Sequence, residues 1–109
     1  MVDTFRSNLI GQELAAVDTP ALVIDLDAME HNLSTMANFF ADKPTKLRPH
    51  AKTHKSPVIA HKQLALGAVG ITCAKLGEAE VMVEAGVRDV LVANQIVGPL
   101  KIARLIGLL

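Results

Sequence analysis

The sequence contains no Trp and no Tyr, and its three Phe bring the aromatic share to only 3%. That excludes a platform that stacks nucleic-acid bases, because such surfaces are built from aromatic rings. A single cysteine, Cys73, excludes an internal disulfide and a cysteine-cluster metal site. Charge of one sign is missing too, since 11 Lys and Arg balance 11 Asp and Glu. Neither nucleic acid nor an anionic membrane would meet an electrostatic footprint. No apolar run is long enough to span a bilayer, and residues 1–20 lack the charged start and apolar core of a signal peptide. The expectation is a cytoplasmic protein with no nucleic-acid and no membrane partner.

Half of the 109 residues are hydrophobic, which suits a single α/β domain. Phe5, Leu9, Ile10 and Leu14 form a weak amphipathic pattern that ends at the breaker Asp18-Thr19-Pro20. Ala21 to Ile24 reads as a short strand. Asp25 or Asp27 then caps a helix through about Phe40, because Leu26, Met29, Leu33, Met36, Ala37 and Phe40 recur at helical spacing. Lys43-Pro44 closes it. A basic strand spans Lys46 to Lys52. The next helix runs from Pro57 to Leu66, with Ser56 as its cap and Gly67 just beyond its end. Val69 to Cys73 and Asp89 to Ala93 are apolar strands, separated by a helix that opens at Gly77 and closes at Gly86. A last helix begins after Val97-Gly98-Pro99 and stays apolar to Leu109 without a cap. That uncapped end predicts that the chain is part of a larger protein. Strands about 20 residues apart in βαβαβα order imply a parallel sheet covered by helices.

The run Arg48-Pro49-His50-Ala51-Lys52-Thr53-His54-Lys55 crowds five potential cations into the end of the basic strand. Alternation places Lys46, Arg48, His50 and Lys52 on one face and Leu47, Pro49 and Ala51 on the other. A solvated face followed by a polar turn would explain this pattern without any function. In an open sheet covered on both sides, such a stripe would be buried at heavy cost. In a closed barrel it faces the interior, whose strand C-terminal end carries the reactive groups of barrel enzymes. Pro49 fits a strand poorly, because it removes a ladder donor. Neighbouring positive charge and partial burial favour the neutral form of Lys52, a nucleophile toward aldehydes. The remaining cations suit a phosphate or phenolate oxygen.

This lysine segment resembles that of the D-threonine aldolase and D-serine dehydratase group, which shares the fold-type III barrel of alanine racemase. Asp18-Thr19-Pro20-Ala21-Leu22-Val23-Ile24-Asp25, Lys75-Leu76-Gly77-Glu78-Ala79-Glu80 and Val90-Leu91-Val92-Ala93-Asn94 extend the resemblance in the family's order over most of residues 18–97. The fold it implies is α/β, the incomplete N-terminal part of a (β/α)8 TIM-type barrel. Residues 1–20 would pack with a β domain elsewhere in the protein, and residues 21–109 would form the partial barrel. Lys52 is implied to hold pyridoxal 5'-phosphate as a Schiff base and to act as a base at the substrate Cα, with His50 and His54 touching the cofactor or its surroundings. Arg48 would hold the barrel interior by hydrogen bonds, and Lys55 would be a solvated residue at a helix start.

The implied activity is that of a lyase on D-amino acids with a β-hydroxyl, by retro-aldol cleavage or by dehydration. A divalent metal (Mn, Zn or Mg) would bind to ligands beyond Leu109, and the full-length protein would be a homodimer. Two alternatives stay open, an amino-acid racemase on the same barrel and a non-catalytic pyridoxal-phosphate-binding barrel. Other candidates have structural explanations. Glu78 and Glu80 suit the positive end of a helix dipole, and Cys73 suits a small core position. His31 and His61 are expected at the surface. Thr72 and Asn94 stand near strand ends with nothing in the sequence to select them.

Overall fold

A computed structural model describes residues 9–109; the expectation for Phe5 lies outside these. After a 3₁₀ turn at Leu14–Ala16, helix α1 spans Leu26–Ala41, α2 Pro57–Ala65, β1 Ile71–Cys73, α3 Leu76–Glu84, β2 Val90–Val92 and α4 Pro99–Ile106. β1 and β2 pair in parallel, with Ile71 opposite Val90, Thr72 opposite Leu91 and Cys73 opposite Val92. The α/β alternation with a parallel sheet is therefore as the sequence predicts.

Local chemistry explains each boundary. Asp25 starts α1 by accepting a hydrogen bond from the Ala28 amide at 2.9 Å. Pro57 occupies the first turn of α2, where its missing amide hydrogen costs nothing. Gly67 and Gly86 leave α2 and α3 with φ of 99° and 88°, a region that costs other residues strain. Helix α4 ends at Ile106 rather than continuing to Leu109. The Gly107 amide donates to the Ala103 carbonyl there, closing the last turn.

Two predicted strands are corrected. Ala21 to Ile24 forms no strand, and Leu22, Val23 and Ile24 are all exposed. A strand exists only where a neighbour completes its hydrogen bonds, and among the described residues none bonds to this segment's backbone. The basic segment also falls short of Lys52. It runs beside β1 through Val69 N to Leu47 O, Thr72 N to Pro49 O and Ala51 N to Thr72 O, but forms only one parallel bridge, His50 with Thr72. A regular ladder would draw a further bond from residue 49, and Pro49 has no amide hydrogen to give. Residues 51–54 are a turn, and Lys52 lies in it.

The sheet has two unlike faces. Ala51, Ile71 and Cys73 join Ala60, Ala79, Met82 and Val87 in the buried core beneath the helices, with Val90 and Val92 packed against it. The face carrying Thr72 and exposed Leu91 is the one His50 shares by register. The radius of gyration is 16.6 Å, against about 13 Å for a compact domain of this length. Much apolar surface therefore remains uncovered.

Gly70 is required by a close approach. A Cβ there would lie 2.1 Å from Arg48 Nη1 and 2.6 Å from the Asp89 carbonyl oxygen. Gly70→Ala is expected to lower unfolding free energy by about 1–3 kcal/mol through overpacking, measured by urea denaturation. A variant as stable as wild type would show that the Arg48 side chain does not cross this position.

Candidate functional site

The site is the end of the sheet where the basic segment, β1 and β2 stop. Arg48 lies below it, anchored by two parallel hydrogen bonds, Nη1 to Asp89 Oδ1 at 2.7 Å and Nη2 to Asp89 Oδ2 at 3.0 Å. This bidentate pair ties the basic segment to the start of β2 across β1, a task the planar guanidinium performs and an ammonium does not. Asp89 is held below the usual carboxylate range, first by its hydrogen bonds from Arg48. Arg48 is thus engaged by protein.

The next residues form the lysine turn. The His50 Nδ1 accepts from the Lys52 amide at 3.3 Å, which leaves the proton of a neutral ring on Nε2. The Lys55 amide donates to the Ala51 carbonyl at 2.7 Å and closes the turn. Lys55 adopts φ 50°, a left-handed conformation that costs a lysine about 1–2 kcal/mol. Lys52 is exposed, and among the described residues its amine has neither a hydrogen-bond nor a salt-bridge partner.

The structure separates the two histidines. His50 shares a face with Thr72, whereas the His54 Nδ1 accepts from the Ser56 amide at 3.0 Å at the entry to α2. His54 Nε2 and Gln63 Oε1 are both buried without a well-formed hydrogen bond. Burial holds the His54 pKa below its ordinary value, and the bond that Nδ1 accepts from Ser56 acts in the same sense, because it needs an unprotonated nitrogen.

Glu78 and Lys55 are where the sequence reading is revised. Lys55 is not merely a solvated side chain, because its Nζ lies 3.6 Å from Glu78 Oε1. Glu78 does more than complement the helix dipole, since its Oε2 accepts from the Ala74 amide at 2.8 Å. The Ala74 hydrogen bond is the largest influence holding its carboxyl below the usual value; burial opposes it and Lys55 reinforces it. A depressed carboxylate pKa gives stability that is complete above the unfolded value and lost as pH falls through the folded one. The stability difference between wild type and Glu78→Gln is therefore expected to be constant near neutrality and to vanish as pH drops below 4.5, measured by urea midpoints. A difference that persists undiminished in acid would contradict this.

Other expected residues fall into place. Asn94 donates to the Ala74 carbonyl at 3.0 Å, bracing the end of β2 against the end of β1. Thr72 is buried, and Cys73 is a buried free thiol whose pKa is pushed up by burial. His31 and His61 are exposed, but the His61 Nε2 lies 2.7 Å from the Ala85 carbonyl. Glu80 pairs with Arg104 of α4. Sequence spacing gave no signal for these last two contacts, which join residues 24 apart. Among the described residues, no group of three His, Cys, Asp or Glu is placed to hold a metal, and no helix is long and apolar enough to cross a membrane. A groove of about 710 Å³ lined by Met36, Phe40, Leu47, Pro49 and Leu66 opens toward the helices, on the face opposite His50.

A parallel α/β unit with an exposed lysine in the turn beyond the His50–Thr72 bridge is consistent with part of a (β/α) barrel, the fold in which reactive groups sit beyond the C-terminal ends of the strands. Residues 24–107 match the family described as alanine racemase, N-terminal domain, and the chain belongs to that family. It is 52% identical over 95 residues to a D-threonine aldolase from Arthrobacter sp, covering 87% of this chain and 25% of that protein. It is 48% identical over 80 residues to a D-threo-3-hydroxyaspartate dehydratase from Delftia sp. (strain HT23), covering 73% of this chain and 21% of that protein. The crystal structure of a D-threonine aldolase from Filomicrobium marinum superposes with a TM-score of 0.83 at 59% identity, over 87% of this chain and 26% of that one. The chain thus spans about a quarter of the length of these relatives.

Proposed function

We propose that this chain supplies the lysine-bearing part of a pyridoxal-phosphate-dependent lyase that acts on D-β-hydroxy amino acids. The observation that carries this reading is the Lys52 amine, exposed in the turn beyond the His50–Thr72 bridge and without a partner among the described residues. The similarity to an aldolase and a dehydratase supports it. The donor set fits covalent attachment of an aldehyde cofactor, since an amine already committed to a carboxylate is a poorer nucleophile.

Each residue then has a task. Lys52 Nζ would hold the cofactor's aldehyde carbon, and the same amine would take or return a proton at the substrate Cα. His50, with Nδ1 committed to the Lys52 amide, offers its Nε2–H to an oxygen beside the lysine. His54 keeps the turn in shape through the bond that its Nδ1 accepts from the Ser56 amide. Arg48 fixes the segment that carries them through its pair with Asp89. Pyridoxal phosphate, when bound, supplies the electron sink for charge developing at Cα. A divalent metal and a homodimeric assembly belong to the same proposal for the whole protein, the metal with ligands outside these residues.

The test is to supply pyridoxal phosphate with D-threonine and, separately, D-3-hydroxyaspartate and D-serine. Glycine and an aldehyde are expected from cleavage, an oxo acid and ammonia from dehydration. Loss of D-configuration alone would mark a racemase, and cofactor attachment with no turnover would mark a binding protein. Either result overturns the lyase reading.

A further inference from the structure

Two lysines three residues apart share one turn, and both have primary amines within reach of solvent. Only one of them is engaged. Lys55, 62% exposed, reaches Glu78 Oε1, while Lys52 has no partner among the described residues. Glu78 is not a mobile surface carboxylate, as its side chain is 12% exposed. Its other oxygen is fixed on the Ala74 amide, so the direction of Oε1 is set by the β1–α3 connection and not by Lys55. Lys55 meanwhile holds a left-handed backbone that glycine or asparagine would adopt with less strain. What lysine adds at that position is an ammonium that Glu78 receives.

We propose that Glu78 decides which lysine of the turn is open to an aldehyde, holding the Lys55 amine at the β1–α3 connection and leaving the Lys52 amine free. Glu78 is thus a positioning residue that acts through Lys55. The proposal rests on the reading that Lys52 is the attachment point, and it explains how that selection is made between two similar side chains. Ionisation is consistent with this role, since the Ala74 and Lys55 contacts keep the carboxyl below its ordinary value. The competing explanation is that Glu78 only caps α3 by occupying the Ala74 amide. Glu78→Gln separates the two, because the amide oxygen still accepts from Ala74 whereas the charge facing Lys55 is gone.

The experiment is reductive trapping of pyridoxal phosphate followed by peptide mass spectrometry, in wild type and Glu78→Gln. Each amine nitrogen bonds the aldehyde carbon with loss of one water. Borohydride then adds hydride to the carbon–nitrogen double bond and solvent supplies the proton, leaving a stable secondary amine. Wild type is expected to carry the label at Lys52 in excess over Lys55. In Glu78→Gln that excess should fall by about two- to fivefold, the range spanned by a partly exposed ion pair. Wild type in about 1 M salt should shift in the same direction, because the screening length there is about 3 Å. This arm needs no variant and decides the matter if Glu78→Gln does not fold. A Lys52 excess unchanged by both treatments overturns the role of Glu78 and leaves the cofactor reading standing. No Lys52 excess in wild type overturns both.

Discussion

Lys52→Ala is expected to abolish covalent attachment of pyridoxal phosphate and to lower turnover of a D-β-hydroxy amino acid by at least about 10³-fold. The size follows from the loss of two roles in one side chain, the covalent link and a proton-transfer group, the second alone typically being worth about 10²–10⁴-fold. The visible absorbance of the lysine-bound cofactor should disappear, and borohydride should no longer fix the cofactor's mass on the peptide containing residue 52. The fold should be almost unaffected, since Lys52 is exposed and no described residue pairs with its amine. Its removal should change unfolding free energy by no more than about 0.5 kcal/mol. Lys55→Ala is the matched control, expected to keep the label at residue 52. If Lys55→Ala removes the band while Lys52→Ala retains it, the assignment of roles within the turn is reversed.

Much of this arrangement was legible in the sequence, for reasons specific to each element. The period of Leu26, Met29, Leu33 and Met36 and the Asp25 cap are local signals, and α1 forms where they place it. The Val69 to Cys73 and Asp89 to Ala93 runs are apolar and β-branched, and the parallel pair forms inside them. Ala21 to Ile24 carries the same local signal, yet strand formation depends on a neighbour that local pattern does not report. Pro49 was visible as an obstacle, and it ends the ladder that Lys52 was expected to finish.

The long-range polar pairs were not legible. Arg48 with Asp89 spans 41 residues and Lys55 with Glu78 spans 23, and charge alone does not say which carboxylate meets which cation. Gly70 shows the same limit. Its lack of a side chain is explained only when the Arg48 guanidinium is seen crossing over it. Five cations in eight residues marked the segment as one that folding alone does not favour, and it was the resemblance to the aldolase and dehydratase group that singled out Lys52 within it.

The largest stability effect is expected at Met82. Three of the seven residues in the buried cluster are alanines, so its apolar volume rests mainly on Ile71, Met82 and Val87. Met82 projects from α3 into the cluster at 1% exposure, and the Val87 amide donates to its carbonyl just past the helix end. Met82→Ala removes buried side-chain atoms and leaves a cavity that the facing strand, held by its pairing with β2, cannot close. About 2–5 kcal/mol of unfolding free energy should be lost. A domain's net stability is only about 5–15 kcal/mol, so the variant should also populate unfolded chain at moderate temperature. Val81 is its neighbour on the same helix but is 47% exposed. Val81→Ala should cost less than about 1 kcal/mol, because alanine is the better helix former and little buried area is given up. Urea denaturation of the two variants side by side measures the contrast. Equal losses at residues 81 and 82 would mean that α3 does not present Met82 to the sheet, and the β1–α3 connection that aims Glu78 at Lys55 would then be misplaced as well.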